Sequence, residues 1–336
     1  MQTYQASLPI ELVNLILKYA AEPTFAQSER YDSKKPYSIA RKLCLVSLGA
    51  RRAVLPEMLR TVYLSSSDVP AFVHALRMQE EYAQTYPALC FEYTRFIRNI
   101  WIGDPEQVYR FFVALSVPES DIGLLAPVLL SAPSLAINLS SMGLLTRCVE
   151  HAWTHMSQNV DGQRSPPAWG TKTLTLSEMN MDQWDIATRT SGSTFLASLA
   201  HLIVIPASNR HISDRYSGLI GANEYTLHRW IMDIPWASFK RLETVSLAVP
   251  HVDLTVHPYL PVAPGTMLRT ELLTFPASLM KGRLPLKIKA STETGEDCIS
   301  LDDVRVTVSD YRVHFYIQSR QWETVWACGL LKERVL

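Results

Sequence analysis

The sequence has little with which to attract a polyanion or to staple a small fold. Its 32 basic and 32 acidic side chains cancel, which removes any global field favouring nucleic acid or a charged membrane surface. Its five cysteines are odd in number and contain no C-x-x-C pair. They fit neither a disulfide framework nor a structural zinc site, and they point to a reducing compartment, cytoplasmic or nuclear. Met1, Gln2, Thr3, Tyr4 and Gln5 carry no basic group and precede no long apolar run, so no signal peptide is expected.

Signatures of catalysis are missing as well. There is no G-x-S-x-G elbow to seat a serine nucleophile, and Gly218-Leu219-Ile220-Gly221 is neither a Walker loop nor a dinucleotide fingerprint; it reads as a loop turn. His151 and His155 stand at i, i+4, without the glutamate of H-E-x-x-H or a third ligand nearby, and read as a helix surface. Cys44 and Cys148 fall in apolar helical stretches as core residues. Asp302 and Asp303 read as a solvated strand entry. No catalytic residue, metal or cofactor is expected, and the chain reads as a non-enzyme.

Residues 122–146 carry no charged side chain and are long enough to span a bilayer. Pro127, Pro133, Asn138 and four serines interrupt them, so the stretch reads as a buried helix over 124–130 followed by a strand over 135–139, and no membrane association is expected.

What is present is apolar substance, 47 % of 336 residues, enough for one large or two ordinary domains. The N-terminal stretch Leu8-Pro9-Ile10-Glu11-Leu12-Val13-Asn14-Leu15-Ile16-Leu17 opens it. Pro9 sits where a helix loses a donor at no cost, and Glu11 complements the helix dipole. Leu12, Leu15 and Ile16 then share a face at i, i+3, i+4. A helix this short is marginal alone, so its apolar face must be buried against something. The polar stretch 22–35 reads as a loop, a second helix resumes near Ser38 with Ile39, Leu43 and Val46 on one face, and Ser47 caps a third helix through Arg60.

L-P-x-E-L-x-x-x-I-L, followed by an apolar stretch ending in L-V-S and then basic residues, resembles an F-box, in particular that of the divergent F-box-like proteins with a leucine-rich-repeat-like C-terminal region abundant in fungi. Leu8, Pro9, Glu11, Leu12, Ile16 and Leu17 match the pattern directly, and Cys44, Leu45, Val46 and Arg51 align with its second half. Ala50 replaces the usual aromatic, Leu48-Gly49 replace a polar, basic pair, and the loop between the first two helices is longer than in the shorter members. The resemblance implies adaptor binding: Leu8, Pro9, Leu12, Ile16, Leu17, Leu45, Val46 and Arg51 would meet a Skp-type adaptor that links the chain to a cullin-RING ubiquitin ligase. The other reading of the helix is that its leucines pack inward to cap the downstream domain.

From residue 61 onward a segment Φ-x-x-Φ-x-Φ, with Φ aliphatic, recurs. Clear copies are Leu59/Val62/Leu64, Ile97/Ile100/Ile102, Leu242/Val245/Leu247 and Leu301/Val304/Val306; weaker ones are Ile137/Leu139, Leu174/Leu176 and Leu199/Leu202/Val204. Alternation in the last positions is the strand signal. Val62, Ile100, Ile137 and Leu174 are spaced by 38, 37 and 37 residues, room for a strand, a helix and loops. Helix starts are expected at Asp104-Pro105, at Ser141 before 144–153, and at Asn223 before 226–232. Pro250, Pro258, Pro261 and Pro264 mark a connection unsuited to a central strand. Beyond it, residues 287–289, 304–308 and 313–317 alternate as strands, and 322–331 reads as a closing helix that caps the array.

The expected architecture is α/β: a short F-box-like helical module over 1–60 and, over 61–336, an irregular leucine-rich-repeat-like solenoid of strand-helix units with a C-terminal cap. Tyr63, Trp101, Asn138, Thr175, Ser246 and Arg305 should project from one open sheet face, with Thr61, Asn99 and Thr173 beside them, and bind a protein target whose identity the sequence does not specify. The alternative is that a helix or the cap covers them. The expected function is substrate reception for a ubiquitin ligase; the competing classes are an interaction scaffold without adaptor binding, and an unrecognised enzyme, which would need a deep pocket of convergent titratable groups.

Overall fold

The computed structural model describes residues 8–23, 37–65, 68–103, 117–138, 141–156, 167, 169–177, 184–205, 224–226, 234–251, 267–280, 287–289, 298–300, 303–312 and 326. The chain opens with three helices, α1 (Ile10–Ala21), α2 (Ser38–Leu43) and α3 (Leu48–Arg60). Strands and helices then alternate: β1 (Thr61–Leu64), α4 (Val69–Thr85), α5 (Tyr93–Phe96), β2 (Asn99–Ile102), α6 (Glu119–Ser131), β3 (Ser134–Asn138), α7 (Met142–Met156), β4 (Thr173–Ser177), α8 (Asp185–Thr188), α9 (Thr190–Ala197) and β5 (His201–Ile205). The C-terminal part is richer in strand, with β6 (Glu224–Thr226), β7 (Thr244–His251), β8 (Met267–Pro276), β9 (Lys287–Lys289), β10 (Cys298–Ser300) and β11 (Arg305–Arg312).

One sheet of eight strands, in the order β1-β2-β3-β4-β5-β7-β8-β11, organises the fold. The first six are parallel and follow chain order, whereas β8 and β11 are added antiparallel. A separate three-stranded sheet has the order β10-β9-β6. The protein is therefore α/β, with N-terminal helices and a mixed, mostly parallel sheet alternating with helices. No helix among the described residues is long and apolar enough to cross a membrane; the uncharged stretch 122–146 divides into α6, β3 and the start of α7, all contributing to the core.

Period-two alternation decides the core face. Val62 and Leu64, Ile100 and Ile102, Leu135 and Ile137, Leu174 and Leu176, Leu202 and Val204, and Val245 and Leu247 are all buried in one cluster with residues of α3, α4, α6, α7 and α9. Each such side chain contributes about 1.5–3 kcal/mol through removal from water. The leading Φ of each clear parallel copy, Leu59, Ile97 and Leu242, is buried in the same cluster.

The register corrects the repeat. Ile100 pairs with Leu135, not Ile137, and the ladder Val62, Ile100, Leu135, Leu174, Leu202, Val245 is spaced 38, 35, 39, 28 and 43 residues apart. Crossovers of such different length do not make a regular period. Val306, in the fourth clear copy, is 42 % exposed, because β11 is antiparallel and ends the sheet. Pro250 belongs to β7; β7 outruns the shorter β5, so its missing N–H falls where only β8 pairs with it. Thr226 closes a strand instead of opening a helix. The helices expected from Asp104 and over 322–331, apart from Trp326, lie outside the described residues, as do Leu301, Leu139 and residues 313–317.

Two observations bind the N-terminal helices to the sheet. The helix α3 runs into β1 without an intervening residue, and its Leu55 and Leu59 belong to the main core while Val54 belongs to a small second core with Ala21 and Ala40. In addition, the Tyr37 hydroxyl donates to the Thr61 carbonyl (2.7 Å) and accepts from the Tyr63 N–H (2.9 Å). Since β1 is the edge strand, this hydroxyl satisfies a donor and an acceptor that would otherwise face no neighbouring strand. Burial also pushes the phenol's pKa well above its ordinary value, keeping it a donor. Tyr37→Phe is expected to cost about 1–3 kcal/mol, read by denaturant unfolding, and to speed hydrogen exchange at the Tyr63 amide. An unchanged exchange rate there would contradict the edge-cap role.

Candidate functional site

The helix α1 is apolar on two sides. Leu17 and Ala21, one turn apart, face inward onto a small core with Ala40 and Val54, to which Leu43, Cys44 and Met58 add partial cover. Leu12, Leu15, Ile16 and Tyr19, at i, i+3, i+4 and i+7, face outward and are exposed. Ser47 accepts a hydrogen bond from the Ala50 N–H (3.0 Å), the cap expected for α3, and the turn before it presents Leu45 and Val46, 87 % and 71 % exposed. Leu8, Ile10, Ile39 and Leu48 complete the set. Ten of the twelve large apolar side chains exposed among the described residues thus lie between positions 8 and 48, a concentration that isolated surface leucines do not produce.

Of the residues matched to the adaptor-binding pattern, Leu8, Pro9, Leu12, Ile16, Leu45 and Val46 are on this exposed surface. Leu17 differs from them: half-buried, it packs against the small core, because it lies on the opposite side of α1 from the 12/15/16 stripe. Arg51 is half-buried in α3, and its charge acts on Cys44 and on Tyr93 of α5, opposing the burial that raises both their pKa values. The exposed Ile10, Leu15, Tyr19, Ile39 and Leu48 are not among the residues the resemblance assigned to the adaptor. Tyr19 was legible as the next step of the 12/15/16 stripe.

The residues expected to bind a target do share a face. Tyr63, Trp101, Ala136, Thr175, Ile203, Ser246, Thr274 and Arg305 form one continuous row across the eight strands. Asn138 lies two residues beyond this row, aligned with Ser177. Its amide is the reason residue 103 is glycine: at φ 156° a Cβ there would overlap the Asn138 side chain. The Asn138 Oδ1 in turn accepts from Ser141 Oγ (2.9 Å).

The face is not open, which corrects the expectation. Trp101 is 3 % exposed and packs against Trp326, ring centroids 5.5 Å apart, within a second apolar cluster that includes Ala136, Ile203, Ile205, Ala248 and Leu272. Asn138, Thr175 and Ser246 are buried, with Ser246 Oγ 2.8 Å from Thr274 Oγ1. Tyr63 is half-buried, its hydroxyl donating to the Gly103 carbonyl (3.2 Å), and Arg305 is exposed. The flanking row Thr61, Asn99, Ser134, Thr173, His201 and Thr244 is polar throughout, with Asn99 Nδ2 donating to Thr61 Oγ1 (3.1 Å) and His201 Nδ1 2.8 Å from Thr244 Oγ1.

The candidates for chemistry remain scattered. Among the described residues no three histidine, cysteine or carboxylate groups gather as a metal site. His151 and His155 lie on α7 with tilted rings, centroids 4.4 Å apart, but the His151 Nδ1 is buried with no hydrogen-bond partner among the described residues and its Nε2 lies against Gly123 of α6. The Cys148 thiol is buried and pushed up to about 12, which leaves it protonated. Asp303 is exposed, while Asp302 and 218–221 lie outside the described residues.

The His151 geometry carries a pH dependence. Desolvation, assisted by His155 and opposed by Glu119, holds its pKa below the ordinary 6.5. The unfolded chain therefore takes up this proton first as pH falls, so the contribution is intact above 6.5 and declines as pH drops from there through the folded-state value. His151→Gln should flatten the stability profile in that window, measured by urea unfolding across pH. An identical profile in the variant would rule out this residue as the source.

No protein-family model, no curated protein and no solved structure matches the chain.

Proposed function

We propose that the chain is a substrate-recognition subunit of a Skp-cullin-F-box type ubiquitin ligase, docking a Skp-type adaptor through its N-terminal helices. The single observation that carries this reading is the outward stripe Leu12, Leu15, Ile16 and Tyr19, left exposed on a helix already packed on its other side. A short helix with two apolar sides has one more surface to bury than the described residues cover, the condition for helix-in-groove docking. Leu45, Val46 and Leu48 extend the same demand to the α2–α3 turn. The resemblance of these positions to an F-box supplies the partner's class.

In this reading the sheet region is an irregular leucine-rich-repeat-like array: parallel strands in chain order, with the described helices packed on one face, favour it, and the uneven crossovers make it irregular. The protein does no covalent chemistry. It raises the effective concentration of a target near the transferring enzyme, in the cytosol or nucleus. Target contact falls to side chains such as Tyr63 and Arg305, which keep exposure at the ends of their row, while Trp101, Asn138, Thr175 and Ser246 hold that face together.

The test is direct binding of the purified full chain to a Skp-type adaptor. Association at micromolar protein or tighter is expected; no binding at that concentration removes the ligase reading and leaves an interaction scaffold. That second reading is favoured by one feature, the small, buried Ala50 at the position where the family carries an aromatic.

A further inference from the structure

The helix α1 carries two charged side chains, Glu11 in its first turn and Lys18 in its last, both exposed and neither held in an ion pair among the described residues. Glu11 precedes Leu15 by four residues and Lys18 follows it by three, so both border the apolar stripe on Leu15's side. They stand two turns apart along that flank, too far to pair within the helix. The stripe itself, Leu12, Leu15, Ile16 and Tyr19, is symmetrical about its own midpoint: read backwards, it has the same spacing.

We propose that the occupant of this stripe is a second copy of the chain, its α1 laid antiparallel across the first about a twofold axis. Leu12 then meets Tyr19 of the second copy and Leu15 meets its Ile16, so every side chain of the stripe gains an apolar partner. A twofold axis perpendicular to both helices keeps their charged flanks on the same side of the contact, which sets Glu11 against Lys18 of the second copy and Lys18 against its Glu11. A parallel pair has its axis along the helices. It would put each charged flank against the uncharged flank of Ile16 and Ala20 and leave both charges unmatched. Flanking charges of this kind set partner and orientation in coiled coils, and the contact is isologous and closed. A lipid surface is the less suited occupant, because one cation and one anion offer little to anionic headgroups.

Two helices of twelve residues cover less than the about 1,200 Å² of a standard interface. The dimer is therefore weak and reversible. Because it uses Leu12 and Ile16, it competes with the adaptor: self-association hides the docking stripe at high chain concentration, and the adaptor frees it. That competition rests on the docking reading above; the self-association does not.

Sedimentation equilibrium of the full chain from about 1 to about 300 μM tests the dimer. The mass should rise from one chain towards two, and Leu15→Asp, at a half-exposed position, should hold it at one with the melting curve unchanged. The charges give the specific readout. Glu11→Lys sets lysine against lysine across the axis and Lys18→Glu sets glutamate against glutamate, so each alone should weaken the dimer about tenfold at low salt. An equimolar mixture of the two variants regains both ion pairs and should associate as tightly as the native chain. Neither chain is altered further in the mixture, so this recovery has no source in folding.

A chain that stays monomeric throughout overturns the inference and leaves the stripe to the adaptor or to a lipid surface; so does a dimer that survives Leu15→Asp, or a mixture no tighter than its components. The competition is read separately, by adding purified Skp-type adaptor to the dimer. Complexes with one copy of the chain are expected, and complexes holding two overturn the competition. An adaptor that does not bind removes the ligase reading, and the competition with it, while the self-association stands.

Discussion

Trp101→Ala should destabilise the protein by about 3–5 kcal/mol, the range for truncating a fully enclosed large aromatic. The indole is 3 % exposed, lies in the second strand of the sheet and meets Trp326, which the chain delivers more than two hundred residues later. Removing it opens a void lined by Trp326 and the small Ala136 beside it, and strands held by hydrogen bonds on both sides cannot close over that void. Guanidinium unfolding of the variant measures the effect. A double-mutant cycle with Trp326→Ala should give a coupling of about 0.5–1.5 kcal/mol from the ring pair. A loss below about 1 kcal/mol for Trp101→Ala would mean that the tryptophan pair does not close this face.

The second large effect separates binding from folding. Leu12→Asp combined with Ile16→Asp should leave thermal unfolding of the chain nearly unchanged, because these side chains are 46 % and 57 % exposed, and surface changes of this kind stay within about 0.5 kcal/mol. Against a Skp-type adaptor, the same variant should lose at least about a hundredfold in affinity, since each side chain would otherwise be enclosed at the centre of the contact and a carboxylate there is desolvated without a partner. Isothermal titration and a melting curve on the same preparation give both numbers. Binding retained at native strength would place the contact elsewhere; a collapsed melt would show that the stripe is part of the fold's own core. Leu17→Asp is the opposite control, expected to damage folding because Leu17 packs into the small core with Ala21, Ala40 and Val54.

The contrast between Leu17 and Leu12 shows what sequence can and cannot convey. Periodicity identified α1, its proline start and its outward stripe, and Ser47 announced α3, because capping and helical spacing are local properties. Alternation found the buried pairs of β1, β2, β5 and β7 for the same reason. It could not choose between Leu135 and Ile137 as the partner of Ile100, since both lie on one face and register is fixed only when strands pair. Nor could it place β6, whose partner β9 lies some sixty residues downstream. The covered state of Trp101 depends on Trp326, which the end of the chain brings back, a contact with no local signature. Tyr37 is the plainest case: nothing in its neighbourhood indicates that its hydroxyl would complete the edge of a sheet.

The absence of any residue between α3 and β1 has a mechanical meaning. Arg60 ends the helix and Thr61 begins the strand, with Leu55 and Leu59 pinning the same helix to the main core. A flexible tether would let a docked protein explore a volume; here the N-terminal helices are packed onto the sheet's own core. Whatever binds at Leu12 and Leu45 is aimed, and anything held at the sheet is presented from one direction at one range. With partners held at both places, geometry of this kind would select which points on a bound object can be reached, and the junction that joins helix to strand would act as a ruler.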